Sequence, residues 1–180
     1  MIEVKKVRTE GIDHINAYSK STLLLGRQLS NFAETPITLP EDGYFASLEA
    51  YWFWLQTHDE SLRNLHGKEA KIEGEKSRKR HSIPCPYFEE KFKEAMAFKL
   101  KQNLSILHAL KESTLPITHY YVTYEKSRKV VEMVYSHQWI WHHYECLRAK
   151  LRGEPEPEFI ELEKPKQESY EDGTLDLFGL

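Results

Sequence analysis

The clearest hydrophobic pattern in the chain is helical and lies in "PYFEEKFKEAMAFKLKQN", residues 86–103. Large or apolar side chains recur there at intervals of three and four residues, which places them on one face of an α-helix. The sequence therefore predicts an amphipathic helix, followed after Asn103 by a second helix, "LSILHALKES". The residues on the predicted face are Phe88, Phe92, Ala95, Met96 and Lys99.

Two further helices are predicted from their terminal signals. "SLEAYWFWLQTH" begins with Ser47, a favourable N-cap residue, and continues without Gly or Pro. A helix should therefore open near Ser47 and carry Glu49 in its first turn. "HQWIWHHYECLRAKLRG" is expected to close the domain as a helix that ends at Gly153.

Strands are predicted where short segments alternate or are rich in β-branched residues. Residues 2–8 and 14–18 are expected to pair, as in a hairpin, and "TPITLPEDG" at 35–43 fits an edge strand and a turn. "ITHYYVTY" and "KVVEMVY" are expected to form a pair around "EKSRK". The fold class that follows is α+β, a helix-rich single domain with a small β-sheet.

The length and composition favour one globular unit. The chain has 180 residues and a formal net charge of -3, so no strong overall field marks it as a binder of nucleic acid or membranes. It has no apolar run near the ~20 residues of a membrane span, and "MIEVKKVRTE" lacks the core of a secretion signal. We therefore expect a cytoplasmic protein with no membrane partner. The domain is placed at 1–153, and the Glu- and Pro-rich segment 154–180 is predicted to be a disordered tail.

Neither a metal nor a cofactor is expected. The only cysteines, Cys85 and Cys146, are far apart and have no CxxC spacing. His142 and Cys146 could share one helical face, but one helix turn directs at most two ligands well.

The first candidate for chemistry is Glu49. One interpretation is a surface charge that stabilises a helix N-terminus. The other is a reactive carboxylate beside flat aromatic walls that suit a planar ligand. The neighbouring rings are Tyr44, Phe45, Tyr51, Trp52, Phe53 and Trp54.

Two polar segments have comparable alternatives. In "GRQLSNF", Arg27, Ser30 and Asn31 fit ordinary turn chemistry, or a clamp on phosphate or ribose. In "GKEAKIEGEKSRKR", we expect a helix break at Gly67, a short helix and a basic loop at 76–80. The segment is no P-loop, so it is either a solvated face or a surface that steers phosphorylated ligands or nucleic acid.

Four motifs in order resemble the NADAR superfamily, the YbiA-like N-glycosidases. They are "LGRQLSNF", "GYFASLEAY", "LHGKEAKIEG" and "FKEAMAFKLKQNLSILHALKES", and together they span roughly 24–113. The resemblance implies a helix-rich α+β domain that hydrolyses N-glycosidic bonds of ADP-ribosyl or nucleotide-like ribosides without a cofactor. The chain departs from the family pattern at Ala50, where the family has His, and at Phe45, where Tyr is commoner.

The resemblance also implies roles for individual residues. Glu49 would be the catalytic carboxylate that stabilises positive charge on the sugar and activates water. Arg27 and Lys71 would hold phosphate or ribose, and Asn31 would orient the sugar or base. Trp52 or Trp139 would stack on the base. Further residues of the implied site are Ser30, Phe45, Ser47, Gly74 and His119.

Several alternatives stay open at this point. The substrate could be ADP-ribosyl-guanine in nucleic acid or an intermediate of the riboflavin pathway, and the domain could bind ADP-ribose without reacting. The end of the chain, "TLDLFGL" at 174–180, resembles peptides that dock on bacterial or phage sliding clamps through Leu175, Leu177 and Phe178. The alternative is a tail with a few apolar residues.

Overall fold

A computed structural model describes residues 9–125 and 128–164 of the chain. In this part of the chain it has six α-helices, one 3-10 turn and short strands, so the predicted helix-rich α+β class is confirmed. The helices are α1 Leu24–Leu29, α2 Leu48–Thr57, α3 Gly67–Arg80, α4 Phe88–Gln102, α5 Leu104–Glu112 and α6 Trp139–Arg152, with the 3-10 turn at Glu60–Leu62. The strands are β1 Ile15–Asn16, β2 Ile37–Leu39, β3 Gly43–Phe45, β4 Ile117–Thr118, β5 Tyr120–Glu125 and β6 Arg128–Met133.

Helix α2 lies at the centre of the core. Eight of its ten residues are buried, and it packs against both α3 and α4. The Tyr51 ring lies 4.9 Å from Phe45 and 6.4 Å from Phe92, which joins β3, α2 and α4. A helix that is apolar nearly all round is stable only when neighbours cover it on several sides.

The strands form three separate two-stranded sheets within the described residues. β5 and β6 make the predicted antiparallel pair. β1 instead pairs in parallel with β4, with Ile15 opposite Ile117. The partner of β1 is therefore β4 and not the segment 2–8, with which a hairpin was expected. Residues 2–8 themselves lie outside the described part.

Two local predictions are wrong. "GRQLSNF" begins inside a helix, since α1 runs through Leu29, and a Cβ on Gly26 would lie 2.4 Å from the Asn16 carbonyl oxygen. The expected basic loop at 76–80 is instead the last part of α3. Gly67 stands at the start of this helix with φ +58, after the 3-10 turn at Glu60–Leu62, so the predicted break at Gly67 is present and the helix after it is longer than expected.

Two residues of the fourth motif have structural partners. The Gln102 side chain accepts a hydrogen bond from the Thr38 backbone nitrogen and donates one to its carbonyl, both at 2.8 Å. It thereby makes both of the hydrogen bonds that the main chain of a neighbouring strand would make with Thr38 of β2. The Asn103 amide donates to the carbonyls of Pro36 and Lys99, at the junction of α4 and α5.

Residues 154–164 have no regular secondary structure, but they are anchored. The Gln138 side chain donates to the Leu162 carbonyl and accepts from its nitrogen, both at 2.8 Å. The Phe159 ring lies 4.8 Å from that of His142 on α6. The segment thus returns along α6. The clamp-docking peptide proposed at 174–180 lies outside the described residues, and its role stays a prediction.

Candidate functional site

A cleft of about 540 Å³ opens between the end of α1, the start of α2 and α3, the strand β5 and the first turns of α6. Its walls contain aromatic side chains, several lysines and one carboxylate. Among the described residues, Glu49 is the only acidic side chain that lines it. The cleft has the concave form and mixed lining that are typical of a small-molecule site.

Glu49 is placed by the N-terminus of α2. The Ser47 hydroxyl accepts a hydrogen bond of 3.1 Å from the Ala50 nitrogen, as expected of an N-cap. The Ser47 hydroxyl also donates to the Leu65 carbonyl at 2.9 Å, which fixes the entry to the helix. The Glu49 nitrogen donates to the Asn31 carbonyl at 3.0 Å and so joins the helix to the segment after α1.

The Glu49 residue is 9% exposed. Burial raises its pKa to about 7, the nearby charge of Lys71 opposes that rise, and Glu75 adds to it. Helix N-termini favour ionised carboxylates. Here desolvation has the larger effect, so Glu49 changes protonation near neutral pH, which suits a group that exchanges protons with a reactant.

The backbone at the end of α1 and just after it accepts hydrogen bonds from two buried side chains. The Lys99 ammonium donates to the Ser30 carbonyl at 3.0 Å, and the Tyr144 hydroxyl donates to the Leu29 carbonyl at 2.9 Å. Burial lowers the pKa of Lys99 to about 7. These contacts fix the backbone that carries Asn31, which lines the cleft.

The opposite wall is a ring cluster, which we define as Tyr18, His119, Tyr121 and Trp141. His119 lies 6.1 Å from Tyr18, 5.0 Å from Tyr121 and 5.5 Å from Trp141. Burial lowers the pKa of His119 to about 4, against the effect of the Ala17 backbone. The imidazole is therefore neutral at physiological pH.

Three exposed lysines give the cleft a cationic rim. They are Lys20, which follows the cluster residue Tyr18, and Lys68 and Lys71, both in the first turns of α3. With only Glu49 to oppose them among the described lining residues, they favour an anionic ligand.

The structure brings five of the predicted site residues into the cleft. They are Ser30, Asn31, Glu49, Lys71 and His119. The first four come from three of the four motifs, whereas His119 lies in the region without a clear motif.

Six predicted site residues do not line the cleft. Arg27 donates to the carbonyls of Ser21 and Thr22 and lines a neighbouring hollow of about 320 Å³. Phe45 is fully buried against Tyr51, so it supports the core. The others are Ser47, which caps α2, Gly74, which packs on Phe53, and the pair Trp52 and Trp139.

The two tryptophans expected to stack on the base belong to a different aromatic group. Trp52 packs edge-on against Phe88 and Phe92, with centroid distances of 4.5 Å and 5.0 Å. Trp139 lies 6.5 Å from Trp52 and parallel to it, between α2 and α6. Both rings therefore join helices, and Trp141, two residues further along α6, is the tryptophan that faces the cleft.

Sequence reasoning missed Tyr18, Lys20 and Tyr121, whereas Lys68 belongs to the basic segment that was considered for steering phosphorylated ligands. The alternation in "ITHYYVTY" offered one usable signal, because His119, Tyr121 and Thr123 share one face of a strand. All three line the cleft. No local signal linked this face to Glu49, which is far away in the chain.

No group of three or more His, Cys, Asp or Glu within the described residues is arranged to hold a metal ion. In the same part of the chain, none of the helices is long and apolar enough to cross a membrane. The chain matches no protein-family model, and no curated protein or solved structure shows significant similarity to it.

Proposed function

We propose that this chain is an N-glycosidase that hydrolyses the C1–N bond of an ADP-ribosyl or otherwise phosphorylated riboside. The observation that carries the proposal is Glu49, a nearly buried carboxyl with a pKa of about 7 that lines a cleft with an aromatic wall and a cationic rim. The order of the four motifs supports the same reaction through their resemblance to YbiA-like N-glycosidases.

Hydrolysis of the C1–N bond is favoured by a negatively charged group beside the sugar. As the C1–N bond breaks, its electron pair leaves with the nitrogen and positive oxocarbenium character builds on the sugar. An ionised Glu49 would stabilise that charge and accept a proton from the water that attacks C1. A purine nitrogen takes up one proton as it departs, so the net change is the addition of water across the C1–N bond. A pyridinium base such as that of NAD departs neutral without a proton, and the proton taken from water passes to solvent.

The rim supports the choice of a phosphorylated substrate. Lys68 and Lys71 are exposed and line the cleft. Lysine binds phosphate as a point charge, and substrate phosphates would give these residues their partners. The same rim suits a phosphorylated intermediate of the riboflavin pathway and a riboside attached to nucleic acid, so a substrate panel must separate them.

The test is a chromatographic assay of released base. Purified wild type and Glu49→Gln are incubated with NAD, ADP-ribose, a riboflavin-pathway intermediate and ADP-ribosylated guanosine or DNA. We expect the wild type to release base from one of these, and turnover to rise as pH increases through about 7, because the ionised form of Glu49 is the active one. Glu49→Gln should lose at least about 100-fold in kcat.

The control is Glu112→Gln, an exposed carboxylate at the end of α5, which should keep wild-type activity. A Glu49→Gln protein with full activity would refute the assignment. Binding of ADP-ribose by the wild type without any product would instead establish the non-catalytic binding module.

A further inference from the structure

We propose that the ring cluster binds the planar heterocycle that leaves in the reaction, and that His119 selects it through a hydrogen bond. This inference rests on the proposed hydrolysis and assigns the two ends of the cleft to different parts of the substrate. The chemical class it names is a flat nitrogen heterocycle with polar edge groups, such as a purine or a pyridine carboxamide.

The geometry of the cluster suits a planar ligand. Tyr18 and Tyr121 meet at 66° with centroids 5.4 Å apart, and His119 meets Tyr121 at 80°. In each edge-to-face pair one ring presents only its edge to the other, so the face of that ring is not covered by the pair. Tyr121 is 36% exposed although it lies on a strand that lines the cleft. A partly exposed tyrosine and a tryptophan that line the same cleft can offer a stacking surface to a heterocycle.

His119 supplies the polar group of this wall. Its Nδ1 is buried, and it has no hydrogen-bond partner among the described residues. A buried polar atom without a partner costs free energy, so a ligand that satisfies it gains affinity. The terminal torsion of an imidazole is broad, so a small rotation can turn a ring nitrogen toward the cleft. The Ala17 backbone already interacts with the imidazole, so Nδ1 is the nitrogen left to make one hydrogen bond with the edge of a heterocycle.

Glu49 is near members of both the ring cluster and the cationic rim. Its charge is close enough to raise the pKa of Tyr121, after the larger effect of burial. The charge of Lys71 in turn lowers the pKa of Glu49. Since Lys71, Glu49 and Tyr121 line one cleft, a riboside with its phosphate at Lys71 and its base at Tyr121 would bring its sugar near the carboxyl.

The experiment measures binding of free bases, so it does not depend on turnover. Adenine, hypoxanthine, uracil and nicotinamide are titrated by calorimetry into wild type, His119→Phe and His108→Phe. The Phe variant keeps a flat ring at 119 but removes both nitrogens. We expect at least one base to bind the wild type and its affinity to fall about tenfold in His119→Phe, the effect of one hydrogen bond. His108, exposed on α5, is the matched control and should leave affinity unchanged.

A second measurement covers the case in which His119→Phe fails to fold. Nuclear Overhauser contacts between the bound base and the rings of Tyr121 and Trp141 in the wild type should be present, and their absence would overturn the inference. Equal affinity in a folded His119→Phe, or no binding of any base to the wild type, would do the same.

The two proposals fail in different ways. Base binding that depends on His119, with no release of base from any substrate, keeps the subsite and refutes hydrolysis. Release of base with no effect of His119→Phe on affinity or on kcat/KM for any substrate keeps hydrolysis and refutes the subsite.

Discussion

Replacing Glu49 by Gln is expected to stabilise the fold, and the gain should depend on pH. The carboxyl is almost completely buried, and its pKa is raised from 4.5 to about 7 in the folded chain. The folded state therefore binds a proton more tightly than the unfolded state does. Between these two values the unfolded chain ionises Glu49 first, so the wild type loses stability as pH rises through this window.

The magnitude follows from the size of the shift. A change of one pKa unit corresponds to about 1.4 kcal/mol, so ionised Glu49 costs the fold about 3 kcal/mol above pH 7. Gln has nearly the same shape and no charge, so Glu49→Gln should lack this cost. The difference in the free energy of unfolding should be near zero at acid pH, grow through the window and level off above it.

The assay is urea unfolding followed by tryptophan fluorescence, repeated from about pH 4 to about pH 9. Glu112→Gln, the exposed carboxylate on α5, is the control and should run parallel to the wild type. A Glu49→Gln curve that also runs parallel to the wild type would show that Glu49 has an ordinary pKa in the fold. That result would remove the electrostatic basis of the proposed mechanism.

Two further predictions concern packing. Gly74→Ala should lower the melting temperature, because the new Cβ would lie 2.2 Å from the ring of buried Phe53. This clash should outweigh the helix preference of alanine over glycine, which is about 1 kcal/mol. An equal or higher melting temperature would contradict this. Gln138→Ala should remove both 2.8 Å bonds to Leu162 and speed cleavage after Glu161 by a Glu-specific protease. An unchanged cleavage rate would show that the segment is held by other contacts.

Local signals predicted the helices well. The three- and four-residue spacing located α4, and Ser47 correctly indicated both the start of α2 and the place of Glu49 in its first turn. Gly153 ends α6 in the left-handed conformation, as expected. These signals succeed because periodicity and capping depend on residues within one or two turns of each other.

Gly153 was informative as a helix end, whereas the role of Gly74 could not be predicted from the sequence around it. The resemblance implied that Gly74 contacts substrate, yet Gly74 lies within α3. What decides the role of Gly74 is Phe53 on another helix, which leaves no room for a side chain. A close approach of this kind cannot be recognised from the neighbours of the glycine in the chain.

The sequence by itself determined the fold class, most of the helices and the identity of the central carboxylate. Only the tertiary structure decided which aromatic residues join Glu49: Trp141 and Tyr121 line the cleft, whereas Trp52 and Trp139 pack between helices. It also decided the protonation of Glu49, since burial raises its pKa. The physical reason is that desolvation and ring packing depend on contacts between residues far apart in the chain, which periodicity and capping signals do not encode.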